Sequence, residues 1–168
     1  EFQRITVLYR PFDFRKSILQ DQSGGFIGRS RYETSKHFLR ENLGLVTVRQ
    51  QSTFDFQHVL AARFMIESGA ISLQTKEWGY IFPLYLYGKV KMGASGSIES
   101  AREPNIELTI AREIARRIGA VYYPIAEYPT KDGDTRLTPE EIFDYVYAVL
   151  HSPSYREKYK EFLKIDFP

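Results

Sequence analysis

Thr138-Pro139-Glu140-Glu141 begins the stretch that decides most about the fold, because it carries the sharpest local signal in the chain. A Thr followed three residues later by Glu is the capping box of a helix N-terminus, and Pro is favoured at the first helical position. Ser152-Pro153 starts a second helix in the same way. Apolar residues then recur at helical spacing: Ile142, Tyr145, Val146, Val149 and Leu150 in the first helix, and Tyr155, Tyr159, Phe162 and Leu163 in the second. The sequence therefore predicts two amphipathic helices at its C-terminal end.

Upstream of these helices, short β-branched and aromatic runs predict strands. Ile5–Tyr9 ends at Pro11, which cannot donate to a ladder, and Tyr80–Tyr87 is dense enough to be a central strand despite Pro83. The remaining predicted strands are Leu45–Val48, residues 58–66 and residues 70–73. Together these segments predict a mixed sheet.

Two further helices and one loop complete the predicted organisation. One helix follows Ser30 as its cap and carries Tyr32, Ser35, Phe38 and Leu39 on one face. The other extends over residues 106–118, with Asn105 as its cap and Gly119 at its C-terminus. Residues 89–104 lack periodicity and contain several Gly, which predicts a long mobile loop. The fold class is α+β: one domain with a twisted mixed sheet flanked by helices and closed by a C-terminal helical pair.

Length and composition place the chain among ordinary globular proteins. It has 168 residues, 43% of them hydrophobic and 15% aromatic, which suits one well-buried core. There is no Cys, which excludes disulfides, thiolate zinc sites and thiol nucleophiles and is typical of a reducing, cytoplasmic setting. No apolar run is long enough to span a membrane and no apolar leader is present, so no membrane partner is expected.

The common catalytic motifs are missing from the sequence. It contains no glycine-rich phosphate loop, no His-Glu-x-x-His zinc helix and no nucleophile elbow, and only His37, His58 and His151 offer imidazoles. Asp132 and Asp134 resemble the start of a calcium loop, but no downstream Glu completes the pattern. We therefore expect no catalytic residue and no metal site.

Charge and side-chain chemistry permit a nucleic-acid function without requiring it. The net charge is only +2, but residues 1–70 hold ten Lys and Arg against seven Asp and Glu. After the predicted strand Leu45–Val48, Arg49-Gln50-Gln51 brings side chains that can bond guanine or adenine edges with two hydrogen bonds. An ordinary solvated loop has the same composition, so both interpretations stay open at this point. The same holds for Arg29 and Arg31, which could clamp phosphates or simply solvate a turn.

A resemblance to a known family covers nearly the whole chain. The most specific part extends from Thr138 to Pro168 and resembles the C-terminal region of type ISP and related type IIL and IIG restriction-modification methyltransferases. Five shorter matches occur in family order: Tyr9-Arg-Pro-Phe-Asp-Phe-Arg15, Arg31-Tyr-Glu-Thr34, Asn42-Leu-Gly-Leu-Val-Thr-Val-Arg-Gln50, Phe56-Gln-His58 and Tyr80-Ile-Phe-Pro-Leu-Tyr-Leu-Tyr87. This resemblance implies a target recognition domain at residues 1–137 and a helical segment packed on it at residues 138–168.

The same resemblance implies partners and a cofactor outside this chain. In such enzymes the region follows an adenine methyltransferase domain that binds S-adenosylmethionine and flips its target base. No Asn-Pro-Pro-Tyr-type motif and no nuclease motif occurs here, so methyl transfer and cleavage are not expected of this fragment. The expected partners are double-stranded DNA and the methyltransferase or nuclease part of the same polypeptide. The end at Asp166-Phe167-Pro168 looks like a boundary within a longer protein.

Site residues follow from the resemblance in two groups. The base-reading candidates are Arg49, Gln50, Gln51, Ser52, Thr53, Gln57 and His58. The DNA-backbone candidates are Arg10, Arg15, Lys16, Arg29, Arg31, Lys36, Lys89, Lys91 and Arg102. Two alternatives remain: a docking module whose terminal helices orient the catalytic domain, with little DNA affinity of its own, and a stand-alone enzyme.

Overall fold

The computed structural model describes residues 2–22, 24, 29–51, 55–71, 77–88, 91–92, 98–99, 102–125 and 133–168. Helices and several small sheets occur together, which confirms the predicted α+β class. By contact density the chain groups into two compact units. Unit 1 comprises Glu1–Pro83 and Tyr147–Pro168, and unit 2 comprises Leu84–Val146. The separation expected between residues 137 and 138 stays a prediction.

A long β-hairpin forms the first part of unit 1. Strand β1 (Phe2–Arg10) pairs antiparallel with β2 (Asp13–Gln20), and only Pro11 and Phe12 connect the paired ends Arg10 and Asp13. The predicted first strand is confirmed, including its end at Pro11. The sequence did not predict β2, because the run Asp13 to Lys16 is mostly polar and acquires strand structure by pairing with β1.

A second sheet of unit 1 is centred on the apolar run that sequence predicted as a buried strand. Strand β3 (Gly44–Val48) lies between β4 (Val59–Ala62) and β6 (Gly79–Pro83), antiparallel to both. Strand β5 (Met65–Ile66) instead pairs in parallel with β1, so the predicted single mixed sheet is divided among several small ones. Gly44 is required by close packing, since a Cβ there would lie 2.7 Å from both Ile81 and Phe38.

The helix expected after Ser30 is much shorter than predicted. Helix α1 (Tyr32–Ser35) is followed at once by a 3-10 turn at Lys36–Phe38. Arg31 holds the N-cap position in a left-handed conformation, with φ of 43°, and provides no side-chain cap. Ser30 is therefore not the cap, and the predicted apolar face reduces to buried Phe38 and half-buried Tyr32.

The C-terminal helices form as predicted, with one extra break. The Thr138 N–H donates to Glu141 Oε2 at 2.7 Å and the Glu141 N–H donates to Thr138 Oγ1 at 3.3 Å, so the capping box starts helix α3 (Pro139–His151). Ser152 caps α4 (Pro153–Lys158), and Tyr159 interrupts the helix before α5 (Lys160–Leu163). Within unit 1, Leu163 and Leu150 pack with Val48, Phe56 and Val59 in one core cluster.

Unit 2 contains short strands and one longer helix. Strand β7 (Tyr85–Tyr87) pairs with β10 (Arg102–Pro104), β8 (Lys91–Met92) with β9 (Ile98–Glu99), and β11 (Val121–Tyr122) with β12 (Arg136–Leu137). Helix α2 (Leu108–Arg117) and the first part of α3 contribute a core of Ala111, Ala115, Leu137 and Ile142.

Three predictions for this part of the chain were wrong. Pro83 is the last residue of β6, so Tyr80–Tyr87 divides into β6, which is an edge strand, and β7. The expected loop at residues 89–104 contains strands β8, β9 and β10, which short polar stretches do not reveal in sequence. Helix α2 is capped by Glu107, whose carboxylate accepts the Ile110 N–H, and not by Asn105, whose N–H donates to the Leu84 carbonyl. Gly119, with φ of 69°, ends the helix as predicted.

Candidate nucleic-acid interface

The end of the β1–β2 hairpin concentrates cationic and aromatic groups. The guanidinium carbons of Arg10 and Arg15 lie 4.0 and 3.7 Å from the centre of the Tyr9 ring. Arg10 also bonds Glu67 at 2.8 Å, and Arg15 bonds Asp13 at 2.9 Å. Each guanidinium keeps further N–H donors, since one carboxylate uses at most two of its five. The hairpin end thus presents two cations that the Tyr9 ring and the carboxylates hold in place.

Glu67, which follows β5, is the ion-pair partner of Arg10. Burial raises the pKa of Glu67, but hydrogen bonds from Arg10, Ser68 and the Gly69 N–H lower it by more, and the net shift is downward. The carboxylate is therefore charged at neutral pH and fixes the position of Arg10. This partner was not predicted, because Glu67 follows β5 and is distant in sequence from the hairpin.

Local charge distinguishes the hairpin from the rest of the molecule. Residues 2–20 carry Arg4, Arg10, Arg15 and Lys16 against Asp13, a sum of +3, which leaves −1 for all other residues because the chain totals +2. Lys16 donates to Thr6 Oγ1 at 2.9 Å, and both line a shallow open depression with Arg4 on one face of the hairpin. The three predicted backbone candidates Arg10, Arg15 and Lys16 therefore share one element, and Arg4 joins them.

Phe12 is the side chain at this site that sequence reasoning missed. It occupies the connection between β1 and β2, is 93% exposed, and has a left-handed backbone with φ of 66°. Phe14, also on the hairpin, is 56% exposed but packs edge-to-face on Phe64 at 5.7 Å between ring centroids. Phe12 was missed because Pro11-Phe12 is a connection between strands only if residues 13–20 form β2, and β2 was not predicted.

The segment after β3 does not present its predicted base-reading residues equally. Gln50 is exposed, whereas Gln51 is fully buried and its Oε1 accepts the Gln57 N–H at 3.2 Å. Arg49 is exposed but its Nε bonds Asp166 Oδ1 at 3.1 Å. The backbone N–H of Phe167, and then Arg49, hold the pKa of Asp166 below its usual value. A side chain buried like Gln51 holds the segment together and does not reach a base edge without rearrangement.

His58 is only partly accessible. Its Nδ1 lies 3.7 Å from Glu77 Oε2, beyond hydrogen-bond distance, and its side chain is 16% exposed. Burial lowers the pKa of His58 more than Glu77 raises it, so the imidazole is kept neutral. Gln57 is exposed and remains available as a polar contact.

A second cation–aromatic group lies along β6. Trp78, Tyr80 and Phe82 alternate along the chain, so their side chains point to one face. Arg29 lies 5.7 Å above the ring of Trp78, and Arg31 lies 5.4 Å above that of Tyr80. Phe167 packs edge-to-face on Tyr80 and Phe82 at 5.1 and 5.4 Å. A continuous series of contacts therefore extends from Arg31 through Tyr80, Phe167 and Asp166 to Arg49.

Known proteins resemble this chain in sequence and in fold. The sequence profile named Type ISP C-terminal specificity domain matches residues 2–168. This chain belongs to that family. Among solved structures it is similar to the cryo-EM structure of a DrdV–DNA complex, at 25% identity, a TM-score of 0.64 and 98% coverage of this chain. It is also similar to the ATP-dependent Type ISP restriction-modification enzyme LlaBIII bound to DNA, at 17% identity, a TM-score of 0.64 and 99% coverage.

This type ISP specificity domain is a small part of the proteins that it resembles. It spans 13% of the DrdV chain and 9% of the LlaBIII chain. No curated protein matches it. The likeness to LlaBIII is a likeness of fold, and the profile match over the whole chain is what establishes the family. The family resemblance stated from the sequence is thus confirmed.

The remaining candidates of the specificity domain lie elsewhere or outside the described residues. Lys36 pairs with Glu33 on α1, and Arg102 lies 4.4 Å above the Tyr85 ring in unit 2. Ser52, Thr53 and Lys89 lie outside the described residues, and of Lys91 only the backbone in β8 is described. Within the described ranges, no group of three or more His, Asp or Glu side chains is placed to hold a metal ion. No helix in the described part of the chain is long and apolar enough to cross a membrane.

Proposed function

We propose that this domain recognises a specific duplex DNA sequence as the specificity module of a larger restriction-modification methyltransferase. The observation that carries the proposal is the β1–β2 hairpin, which holds +3 in a molecule whose other residues sum to −1. A cationic β-ribbon suits contact with phosphates, which supply most of the sequence-independent affinity for DNA. The family membership and the DNA-bound relatives agree with this proposal.

The two groups of contacts divide the work between positioning and reading. Arg4, Arg15 and Lys16 are exposed on the hairpin and contact phosphates, which fixes the register of the duplex. Gln50 and Gln57 are exposed amides next to β3 and read base edges, with Arg49 joining them when it leaves Asp166. Gln51 and His58 pack within the domain and do not contact DNA in this proposal, because both are largely buried.

In this proposal, other parts of the protein carry out catalysis. The methyltransferase domain would bind S-adenosylmethionine and act on adenine, and any nuclease would also lie outside residues 1–168. This domain would contribute the choice of sequence and the orientation of the duplex, and no residue of it would contact the reacting atoms.

The test compares two charge-removing variants and one amide variant in the intact protein. Lys16→Ala should weaken binding to all duplexes alike and reduce the slope of log affinity against log salt by about 0.9. Lys158→Ala is the matched control, because Lys158 is an exposed lysine of unit 1 on helix α4, outside the hairpin. Gln50→Ala should instead lose about 1–3 kcal/mol of discrimination at one base pair, measured with a panel of single-site duplex variants. The control variant should keep the salt slope of the wild type. If Lys16→Ala also keeps that slope, the proposal is contradicted.

A second candidate function is docking onto the catalytic part of the same polypeptide. The observation that favours it is apolar exposure near the C-terminus, where Phe162 is 54% and Ile165 is 70% exposed. Phe162→Ser and Ile165→Ser would then loosen the attachment of this domain, seen as faster cleavage between domains in limited proteolysis, while Lys16→Ala would not. Both functions can coexist, since they use different residues of unit 1.

A further inference from the structure

The connection between β1 and β2 has an unusual residue at its second position. A Pro followed by a residue with positive φ is the pattern of a type II turn, and that second position is normally filled by Gly or Asn. Here it is filled by Phe12 with φ of 66°. A left-handed conformation is unfavourable for a residue with a Cβ, because the Cβ comes too close to the following carbonyl oxygen. The fold therefore tolerates strain in order to keep an aromatic ring at the hairpin end.

Nothing within the described residues offsets that cost. Phe12 is 93% exposed, more than any other large hydrophobic side chain of the described residues, and has no ring contact with any of them. Phe2, at the opposite end of the same hairpin, is 66% exposed but lies in regular strand conformation. The hairpin end therefore combines an exposed aromatic side chain with a left-handed backbone, and such combinations occur where a side chain meets a partner.

The surroundings of Phe12 indicate the chemistry of that partner. Arg10 and Arg15 flank the connection, and Lys16 follows in β2, roughly 13 Å of strand from Phe12. An apolar ring between cations matches a DNA groove, in which anionic phosphates border an apolar base stack. A pocket on another protein would have to remove water from the two ion pairs Arg10–Glu67 and Arg15–Asp13 as well, and the desolvation of charged groups is costly.

We infer that Phe12 is a wedge: the hairpin inserts its ring at a base step of duplex DNA and stacks it on an exposed base, while Arg15 and Lys16 hold the flanking phosphates. This inference rests on the proposed DNA function and adds a contact that distorts the duplex. Insertion of an apolar side chain unstacks one step and bends the DNA, and stacking of an aromatic ring on a base offsets part of the unstacking cost. The preset turn conformation lowers the cost of ordering the ring on binding.

The experiment uses the intact protein and a short duplex carrying the site that the protein itself selects from a random duplex pool. 2-Aminopurine placed at successive positions becomes brighter where its base is unstacked. The wild-type protein should brighten one step, and Phe12→Ala should abolish the signal and weaken binding about 5- to 150-fold. Phe12→Trp should retain both, because a larger aromatic ring still stacks.

Two controls separate loss of the wedge from loss of the fold. Phe12→Gly removes the ring but suits the left-handed position, so it should be at least as stable to heat as the wild type and yet lose the signal. Phe2→Ala removes an exposed ring of the same hairpin and should change neither the fluorescence nor the affinity. A wild-type complex without any brightened step, or Phe12→Ala binding with wild-type affinity, would overturn the inference.

The outcomes also distinguish this inference from the function on which it rests. If Lys16→Ala reduces the salt slope while Phe12→Ala leaves the fluorescence and affinity unchanged, DNA recognition stands and only the wedge is lost. If Phe12→Ala leaves DNA binding intact but speeds proteolysis between domains, the ring contacts the rest of the polypeptide, which also overturns the wedge. If neither Lys16→Ala nor Phe12→Ala changes DNA binding, the proposed DNA function itself is contradicted.

Discussion

The β1–β2 hairpin and the segment after β3 (residues 49–58) differ in how far they expose their candidate contact residues. At the hairpin end the fold exposes Phe12 almost completely and accepts a left-handed backbone to do so. After β3 the fold turns Gln51 fully inward and holds Arg49 against Asp166. The first region exposes its side chains, whereas the second buries or pairs two of its candidate side chains within the fold. Residue type alone does not distinguish the two, but burial and pairing do.

The largest expected effect concerns the packing beneath the second region. Leu163 is 1% exposed and packs with Val48 and Val59, which flank the segment after β3, and with Phe56 within it. Leu163→Ala should lower the free energy of unfolding by about 2–5 kcal/mol through a cavity. Phe162→Ala, beside it in α5 but 54% exposed, should have little effect on the same urea or thermal unfolding measurement. Equal losses in the two variants would show that the segment does not depend on this packing.

The next effect tests whether Gln51 supports the segment or reads DNA. Gln51→Ala removes the acceptor of the Gln57 N–H and leaves a void, and should destabilise the domain by about 1–3 kcal/mol. Gln50→Ala, one residue away and exposed, should leave thermal stability unchanged. If Gln51→Ala is as stable as the wild type but changes the recognised sequence, the contrast between the two regions is wrong.

Sequence alone predicted the elements whose signals are local. The capping box of Thr138 and Glu141, the central run Leu45–Val48 and the Gly119 helix end are all set by neighbouring residues, and each is confirmed. Strand β2 was missed because its polar residues become a strand through pairing with β1 across a two-residue connection. A pairing of this kind is a property of two segments and is invisible when each is considered singly.

The candidate site shows the same limit. Arg10, Arg15 and Lys16 were predicted as contacts, and the structure places them on one hairpin. Their partners were not predictable, since Glu67 and Asp166 are brought to Arg10 and Arg49 by tertiary packing. The burial of Gln51 has the same cause, because sequence shows an amide and only the fold decides whether it faces water. Whether these residues contact DNA remains a prediction.

A third prediction concerns the strain in the first region. Phe12→Gly should raise the free energy of unfolding by about 1 kcal/mol, because Gly adopts positive φ without the Cβ clash. Phe14→Gly is the contrasting variant: it lies in β2, packs on Phe64, and should be destabilised instead. Thermal unfolding of both variants measures the difference. A loss of stability in Phe12→Gly would mean that the ring supports the hairpin and is not held out for a partner.

A smaller effect follows from the partly buried imidazole of the second region. Burial lowers the pKa of His58, so the folded state favours the neutral form. The resulting stability is present above the unfolded pKa near 6.5 and is lost as the pH falls through the lower pKa of the folded state. The wild type should therefore lose stability below pH 6.5, by at most about 1.4 kcal/mol per pH unit for this group. His58→Gln should flatten that slope, and an unchanged slope would assign the loss to other groups.

The smallest expected effect comes from the ion pair that holds Arg49. Both side chains of this pair are exposed, at 62% and 49%, so Asp166→Asn should change the stability of the domain little. The change that matters is in DNA binding: Arg49 released from Asp166 should bind a test duplex more tightly at low salt, because one carboxylate no longer competes with phosphate or a base. Glu161→Gln, which removes the partner of Lys164 on α5, is the matched control and should leave DNA affinity unchanged. If only Asp166→Asn binds DNA more tightly, Arg49 of the second region also contacts DNA once it is released from Asp166. If the two variants bind with equal affinity, the contacts are confined to the hairpin.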